Sequence, residues 1–242
     1  MNKFWNFVRN EETGERELWL YGVIGDDSWY SGDITPTKFR QELNFCEGDI
    51  VVKINSEGGD VFAATAIYTM LKEYDGKITV KIDSLAASSA SIVAMAGDEV
   101  HISPLGMIMI HNPSTFADGD SEELKSAAKM LDEVKETIIN AYELKTKMPR
   151  EQLAQMMDDE TWIHARKAIE LGFADKIIGE ENQSSEDSTA QDISTRRQVK
   201  NCMANAFKRN HKKTGVKVKD LRRELNTVIK EARTWTRKNA KN

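Results

Sequence analysis

Ile82-Asp83-Ser84-Leu85-Ala86-Ala87-Ser88-Ser89-Ala90-Ser91-Ile92-Val93-Ala94-Met95-Ala96-Gly97 is the stretch on which the fold turns. The residues leading into it, Lys77-Ile78-Thr79-Val80-Lys81-Ile82, alternate polar and β-branched side chains and predict a strand. Ala90 to Ala96 is apolar, holds no breaker and predicts a buried helix. Ser88 and Ser89 therefore fall at a strand-to-helix junction, among small residues that leave a hydroxyl uncrowded. A helix start offers free N–H groups and partial positive charge, which suits an anion forming nearby. A serine nucleophile wants that setting. An ordinary N-cap serine looks the same from this stretch alone.

Outward from it, strands and helices alternate. Residues 18–24 (Leu-Trp-Leu-Tyr-Gly-Val-Ile) and 49–54 (Asp-Ile-Val-Val-Lys-Ile) read as strands, with a short helix at 36–43 that Thr35 can cap. Residues 60–74 read as a helix, because Val61, Ala64, Ile67, Tyr68 and Leu71 fall on one face. Short strands follow at 99–103 and 107–110. A long helical pattern covers 121–147, and shorter helices 149–157 and 164–171, the last ended by Gly172. This alternation predicts an α/β fold of βαβ units around a largely parallel sheet.

Three further stretches carry chemistry. Ile54-Asn55-Ser56-Glu57-Gly58-Gly59-Asp60 follows a strand and opens a helix. Paired glycines let the backbone take positive φ and bring bare N–H groups close to a ligand. Such groups form oxyanion holes, each donor lowering a transition state by about 3–4 kcal/mol; a tight turn needs the same glycines. No Gly-Lys-Ser/Thr follows, which argues against a phosphate loop. Met107-Ile108-Met109-Ile110-His111-Asn112-Pro113 delivers His111 from an apolar strand to a loop mouth, where parallel-sheet proteins collect functional groups. A structural histidine fits there too. Of the other three, His101 lies in a polar strand, His164 stands where it can cap a helix and His211 is in a basic tail. Asp158-Asp159-Glu160-Thr161-Trp162-Ile163 supplies acids between two helices; a carboxylate there can orient an imidazole, as in catalytic triads, or simply be solvated.

Composition limits the alternatives. At 242 residues, 40% hydrophobic and 30% charged, the chain suits one substantial globular core. No run of about 18 apolar residues is present, so no membrane span is expected. Met1-Asn2-Lys3-Phe4-Trp5-Asn6-Phe7 lacks the long apolar stretch of a signal peptide. With only Cys46 and Cys202, no disulfide framework is expected, and a cytoplasmic location is. The charge is divided. Residues 196–242 hold 16 Lys and Arg against Asp220, Glu224 and Glu231, a net of +13. Of the chain's 34 basic and 39 acidic residues, 18 and 36 are left for residues 1–195, a net of −18. The polar segment 180–195 between them reads as an acidic linker. The expected organisation is a folded domain at 1–179, the linker at 180–195, and a basic, partly helical tail at 196–242. Val218, Leu221, Leu225, Val228 and Ile229 give that tail one apolar face, suited to docking on a partner protein or an acidic surface. Its charge also suits nucleic acid, but no recognition motif is present.

Four segments together resemble the ClpP family of serine peptidases. Ile54-Asn55-Ser56-Glu57-Gly58-Gly59 is similar to the family's Ile-Asn-Ser-Pro-Gly-Gly, and Leu85-Ala86-Ala87-Ser88-Ser89-Ala90 to its Gln-Ala-Ala-Ser-Met-Gly. Met109-Ile110-His111-Asn112-Pro113 resembles its Met-Ile-His-Gln-Pro, and Glu170-Leu171-Gly172-Phe173-Ala174-Asp175 its Glu-Tyr-Gly-Leu-Val-Asp. They occur in the family's order, with similar spacings, over residues 15–179. The resemblance implies a ClpP/crotonase-type fold of stacked βαβ units, with 121–147 as the long handle helix that pairs two rings. It implies Ser88 as nucleophile, His111 as general base, and an oxyanion hole of the Gly58 and Ser89 N–H groups supported by Gly59. No cofactor and no metal are expected.

The departures set the questions. Glu57 replaces a proline, and Ser89 with Ala90 replaces Met-Gly, leaving Ser89 as a rival hydroxyl. Counting back from Gly172 puts Glu160 where the family has its aspartate, with Asp159 as the alternative. Ser31-Gly32-Asp33-Ile34-Thr35, Gly59-Asp60, Ala94-Met95-Ala96-Gly97-Asp98 and Glu160-Thr161-Trp162 look like the ClpP-like head-maturation (prohead) proteases of phages and prophages. The expected function is then an ATP-independent serine endopeptidase processing capsid or scaffold proteins. A ClpP-like subunit serving a cellular unfoldase is the alternative. A crotonase-like acyl-CoA enzyme is disfavoured, since crotonases use oxyanion N–H groups and acids without that serine. A domain of about 179 residues has little core to cover the apolar stripe along 121–147 (Leu124, Ala127, Ala128, Leu131, Val134, Ile138, Ile139 and Tyr142), and an uncovered stripe predicts a partner surface. The resemblance implies that this is the same helix of a second subunit, in a homo-oligomer that is a ring or stacked rings.

Overall fold

Strand and helix alternate into one eight-stranded sheet whose middle is parallel. The computed structural model describes residues 3–25, 35–45 and 48–180. The linker and basic tail expected beyond residue 180, Cys46, and Ser31 to Ile34 lie outside the described residues. The chain opens with an antiparallel pair, β1 (Trp5–Arg9) and β2 (Arg16–Ile24). There follow α1 (Pro36–Asn44), β3 (Ile50–Gly59), α2 (Val61–Lys72), β4 (Ile78–Ala87), α3 (Ser89–Ala94) and β5 (Glu99–Ile102). Then come β6 (Met107–Ile110), α4 (Ser121–Thr146), α5 (Arg150–Asp158), β7 (Thr161–His164), α6 (Ala165–Glu170) and β8 (Lys176–Ile177). Strands β2, β3, β4, β5 and β8 run parallel in that spatial order. The mixed α/β architecture is the one expected from the alternation.

β4 changes neighbours along its length, and this positions everything functional. Thr79 to Ile82 pair with β5, while Leu85 to Ala87 pair with β6. The end of β4 therefore lies between Ser56 of β3 and Met109 of β6. β7 then pairs antiparallel with β6.

One face of the sheet is apolar and buried. Leu18, Leu20, Val52, Ile54, Val80, Ile82, Val100 and Ile102 have no exposed surface and belong to one core with α2 and α3. The other face carries the alternate residues of the same strands, Glu17, Trp19, Tyr21, Lys53, Lys81 and Asp83. Trp19 Nε1 donates to Glu17 at 2.6 Å, Tyr21 donates to Asp83, and the Trp19 and Tyr21 rings stack with centroids 5.6 Å apart. Lys53 lies over the Trp19 ring and 3.7 Å from Glu17.

Several boundaries differ from the sequence expectation for local reasons. β3 runs on to Gly59, because both glycines pair with β2 (Val23↔Gly58, Ile24↔Gly59) instead of turning. β1, β7 and β8 have five residues or fewer, too few for alternation to show. Helix α4 starts one residue after its cap, Asp120, whose carboxylate accepts the Glu122 and Glu123 N–H groups while Glu123 closes a capping box. The helix has 26 residues, a length of about 39 Å. Its apolar stripe is not uncovered throughout, which corrects the sequence reading. Val134, Ile138, Ile139, Ala141 and Tyr142 are buried in the chain's own core. In the first half Leu124 and Met130 are exposed, with no covering surface among the described residues. No helix among the described residues is long and apolar enough to cross a membrane.

This division of α4 is testable in a urea melt. Ile139→Ala removes a side chain 1% exposed and should cost about 2–5 kcal/mol. Lys125→Ala, which breaks an exposed pair with Glu122, should move stability by less than about 0.5 kcal/mol.

Candidate active site

Ser88 stands between β4 and α3 with φ 54° and ψ −128°, a backbone conformation that non-glycine residues rarely adopt. Its N–H donates to Met109 O at 2.9 Å, and its carbonyl accepts from the Ser91 N–H at 3.0 Å and from the Ser91 hydroxyl. Its side chain makes no capping bond to α3, so the N-cap reading does not describe it. The hydroxyl points to His111 instead: Ser88 Oγ and His111 Nε2 are 2.7 Å apart. His111 is the first residue after β6, held beside Ser88 because β6 pairs with the end of β4. A serine hydroxyl in hydrogen-bond contact with an imidazole can lose its proton to it as it attacks a carbonyl.

Gly58 lies against this pair. With φ +96°, a Cβ there would stand 2.7 Å from Ala87 O, 2.8 Å from Ser88 Cβ and 3.0 Å from Ser89 N. Gly58 and the Ser89 amide are therefore neighbours beside the hydroxyl. Gly59 is blocked from the other side, since a Cβ would meet Ile24 O at 2.2 Å. The Gly58 N–H donates to Ser56 Oγ at 3.0 Å, and Ser56 in turn donates to Gly22 O. Sequence reasoning missed Ser56; its place two residues before a glycine pair was the available signal. Ser89, the rival hydroxyl, is 3% exposed, and its Oγ has no partner among the described residues.

The acids are brought to the same end of the sheet. In β7 Thr161 pairs with Ile110 of β6, the last pair of that register, and Glu160 and His111 are the residues that flank it. Glu160 has φ 47°, and its carboxylate accepts from Trp162 Nε1 at 3.3 Å. Asp159 accepts from Gln155 Nε2 at 3.1 Å. Neither carboxylate is bonded to His111 in this structure. The remaining described histidines have other roles: His164 caps α6 and His101 pairs with Glu99.

Beside Ser88 and His111 opens a cavity of about 230 Å³. Its apolar wall comes from Phe62, Ile92, Leu131, Val134 and Ile138, three of them on α4. Tyr142 also lines it, and its hydroxyl lies 2.8 Å from Ser91 Oγ, tying α4 to the turn that holds Ser88.

Comparison with known proteins finds relatives of this chain. Residues 26–181 match the Clp protease family model. The "ATP-dependent Clp protease proteolytic subunit 1" of Chlamydia abortus is 32% identical over 181 residues, 73% of this chain and 93% of that one. The protein of the same name from Chlamydia caviae is 28% identical over 182 residues, 74% of this chain and 94% of that one. The "ATP-dependent Clp protease proteolytic subunit" of Deinococcus radiodurans is 29% identical over 145 residues, 58% of this chain and 71% of that one.

Gly58 offers a test of the geometry. Gly58→Ala puts a methyl against Ser88 at a backbone angle unfavourable to alanine. The rate at which a fluorophosphonate labels Ser88 should fall by about 10²-fold. A labelling rate equal to wild type would show that this close approach does not matter to the serine.

Proposed function

The chain belongs to the Clp protease family of serine peptidases, and from that premise we propose that Ser88 and His111 perform its peptide-bond cleavage. The observation that carries this is the 2.7 Å contact between Ser88 Oγ and His111 Nε2 beside a cavity with one apolar wall. In this reading His111 Nε2 takes the hydroxyl proton while Ser88 Oγ bonds to the scissile carbonyl carbon. The carbonyl oxygen becomes an oxyanion facing the Ser89 and Gly58 N–H groups. The Gly58 N–H must exchange its bond to Ser56 for the oxyanion, which makes it a donor recruited as charge develops. His111 then passes its proton to the leaving amine, and water releases the acyl group from Ser88 by the same steps reversed. Glu160, which adjoins the last β6–β7 pair as His111 does, is the acid proposed to stabilise the imidazolium, once its side chain leaves Trp162. Asp159 is the alternative. The apolar wall receives a nonpolar side chain of the substrate.

The biological role we propose is ATP-independent processing of capsid or scaffold proteins during phage head maturation, in the cytoplasm of the host. What supports it is the resemblance of Ala94-Met95-Ala96-Gly97-Asp98 and Glu160-Thr161-Trp162 to prohead proteases, together with a basic extension beyond an acidic linker. The printed names of the relatives favour a second reading, a proteolytic subunit that works with a cellular ATP-dependent unfoldase. Incubation of the purified chain with an unfolded protein, with no nucleotide and no second protein, separates the two: cleavage supports the first, and cleavage only with an unfoldase and ATP supports the second.

Two variants test the site. Ser88→Ala should abolish cleavage and fluorophosphonate labelling, while Ser89→Ala keeps both; the opposite result moves the nucleophile by one residue. Glu160→Gln should lower kcat by up to about 10⁴-fold if it completes a triad, with Asp159→Asn near wild type.

Assembly is the remaining element. The exposed half of α4, with Leu124 and Met130, is the surface proposed to be covered by a second copy in a ring or stacked rings. Leu124→Asp with Met130→Asp should shift the sedimenting species to the monomer and lower activity with it. A monomeric wild type, fully active at micromolar concentration, would overturn this.

A further inference from the structure

Three acids stand in a row before β7, and each has a different partner. Asp159 is taken by Gln155 and Glu160 by Trp162. Asp158 is bonded to the residue beside the histidine. Its Oδ1 accepts from Asn112 Nδ2 at 2.7 Å, and Asn112 is the residue next to His111. The same oxygen accepts from Lys135 Nζ at 2.6 Å, and Lys135 comes from α4. A loop residue beside the imidazole, a helix-end acid and the long helix thus meet at one carboxylate oxygen.

The surroundings show what the cluster holds. The Lys135 bond, then the Asn112 bond, keep the Asp158 carboxyl below its ordinary range, so it is ionised at neutral pH. The other end of the Asn112 amide, Oδ1, is buried and has no partner among the described residues. A polar atom left in that condition disfavours the loop position, so the Asp158 bond is what keeps Asn112 in place. The Asp158 side chain is 48% exposed, and exposed ion pairs add little to stability. What this one controls is the position of a backbone segment.

We propose that Asp158 is a positioning residue for His111, acting through Asn112 and itself oriented by Lys135, so that the seating of α4 is transmitted to the imidazole. His111 follows Ile110, the last paired residue of β6, and the Asn112 side chain is the next anchor of the loop. A small turn of that segment moves Nε2 off the line to Ser88 Oγ, and hydrogen bonds weaken steeply with misalignment. The chain therefore has a charged contact, outside the reacting groups, through which the helix that lines the substrate cavity also sets the base. The inference rests on the peptidase reading of Ser88 and His111.

The experiment compares the full chain with Asp158→Ala, Lys135→Met and the charge swap Lys135→Asp/Asp158→Lys. It measures the fluorophosphonate labelling rate at Ser88, and kcat and KM on a peptide. Misplacement of a reacting group by a fraction of an ångström to one ångström costs up to about 10²-fold, so each single variant should label and turn over about tenfold or more slowly. KM, melting temperature and sedimentation should stay at wild-type values. The swap should recover part of the loss, because a flip of the Asn112 amide turns its Oδ1 to the introduced ammonium. Single variants at the wild-type labelling rate, or a swap no better than the singles, overturn the coupling. A wild type that is not labelled at Ser88 overturns the peptidase reading, and this coupling with it.

Discussion

The structure depends on the positive φ of Ser88. A non-glycine residue in such a conformation costs on the order of 1–3 kcal/mol and persists only where its neighbours fix it. Here they do so through both of its peptide groups: the amide is bound by Met109 of β6 and the carbonyl by Ser91 of α3. Buried alanines at 86, 87 and 90 allow the close approach. The backbone angle then decides where the hydroxyl goes. It leaves the helix end, which an ordinary capping serine would serve, and faces His111. The switch of β4 from β5 to β6 is what supplies the Met109 carbonyl, so strand pairing and side-chain direction are one arrangement.

Helix α4 connects this junction to the rest of the molecule. Its second half supplies core residues, a wall of the cavity and the Tyr142 hydroxyl that meets Ser91. Tyr142 is fully enclosed, and burial holds its hydroxyl well above the usual phenol range, so it acts as a neutral hydrogen-bonding group at any pH of interest. The contact with Ser91 is thus insensitive to pH, whereas the Lys135–Asp158 contact is charged and open to salt. One helix touches the site through two bonds of different character.

Much of this was legible because it depends on local pattern. The strand before Ser88, the apolar α3 and the amphipathic α2 follow from periodicity, and the paired glycines and the strand-end histidine from residue type. For the Gly-Gly pair the sequence left an oxyanion hole or a tight turn, since it does not show that β2 pairs with both residues. The stripe on α4 was read as uncovered over its whole length, because periodicity marks an apolar face without saying where its partner lies. Lys135 and Asn112 carried no pattern, and Ser56 only its place before the glycine pair. Their roles arise from contacts across 2, 23 and 46 positions of sequence, made only once the sheet and α4 are in place.

The polar face of the sheet has a consequence for the chain's life before it meets any partner. Glu17 is 4% exposed, yet its carboxyl lies below its ordinary range: burial alone would raise it, but Asn10, Trp19 and the Lys53 and Lys81 charges outweigh that. Its stabilising contribution is therefore present at neutral pH and lost only as acid protonates it. Trp19 and Tyr21, the two large rings on this face, each bond their polar group to a neighbour of the same chain. A sheet face that is aromatic but internally satisfied offers little to a passing molecule. The polar groups of this face need no second molecule to satisfy them, so it can stay bare while exposed apolar side chains elsewhere, Leu124 and Met130 among them, meet a partner.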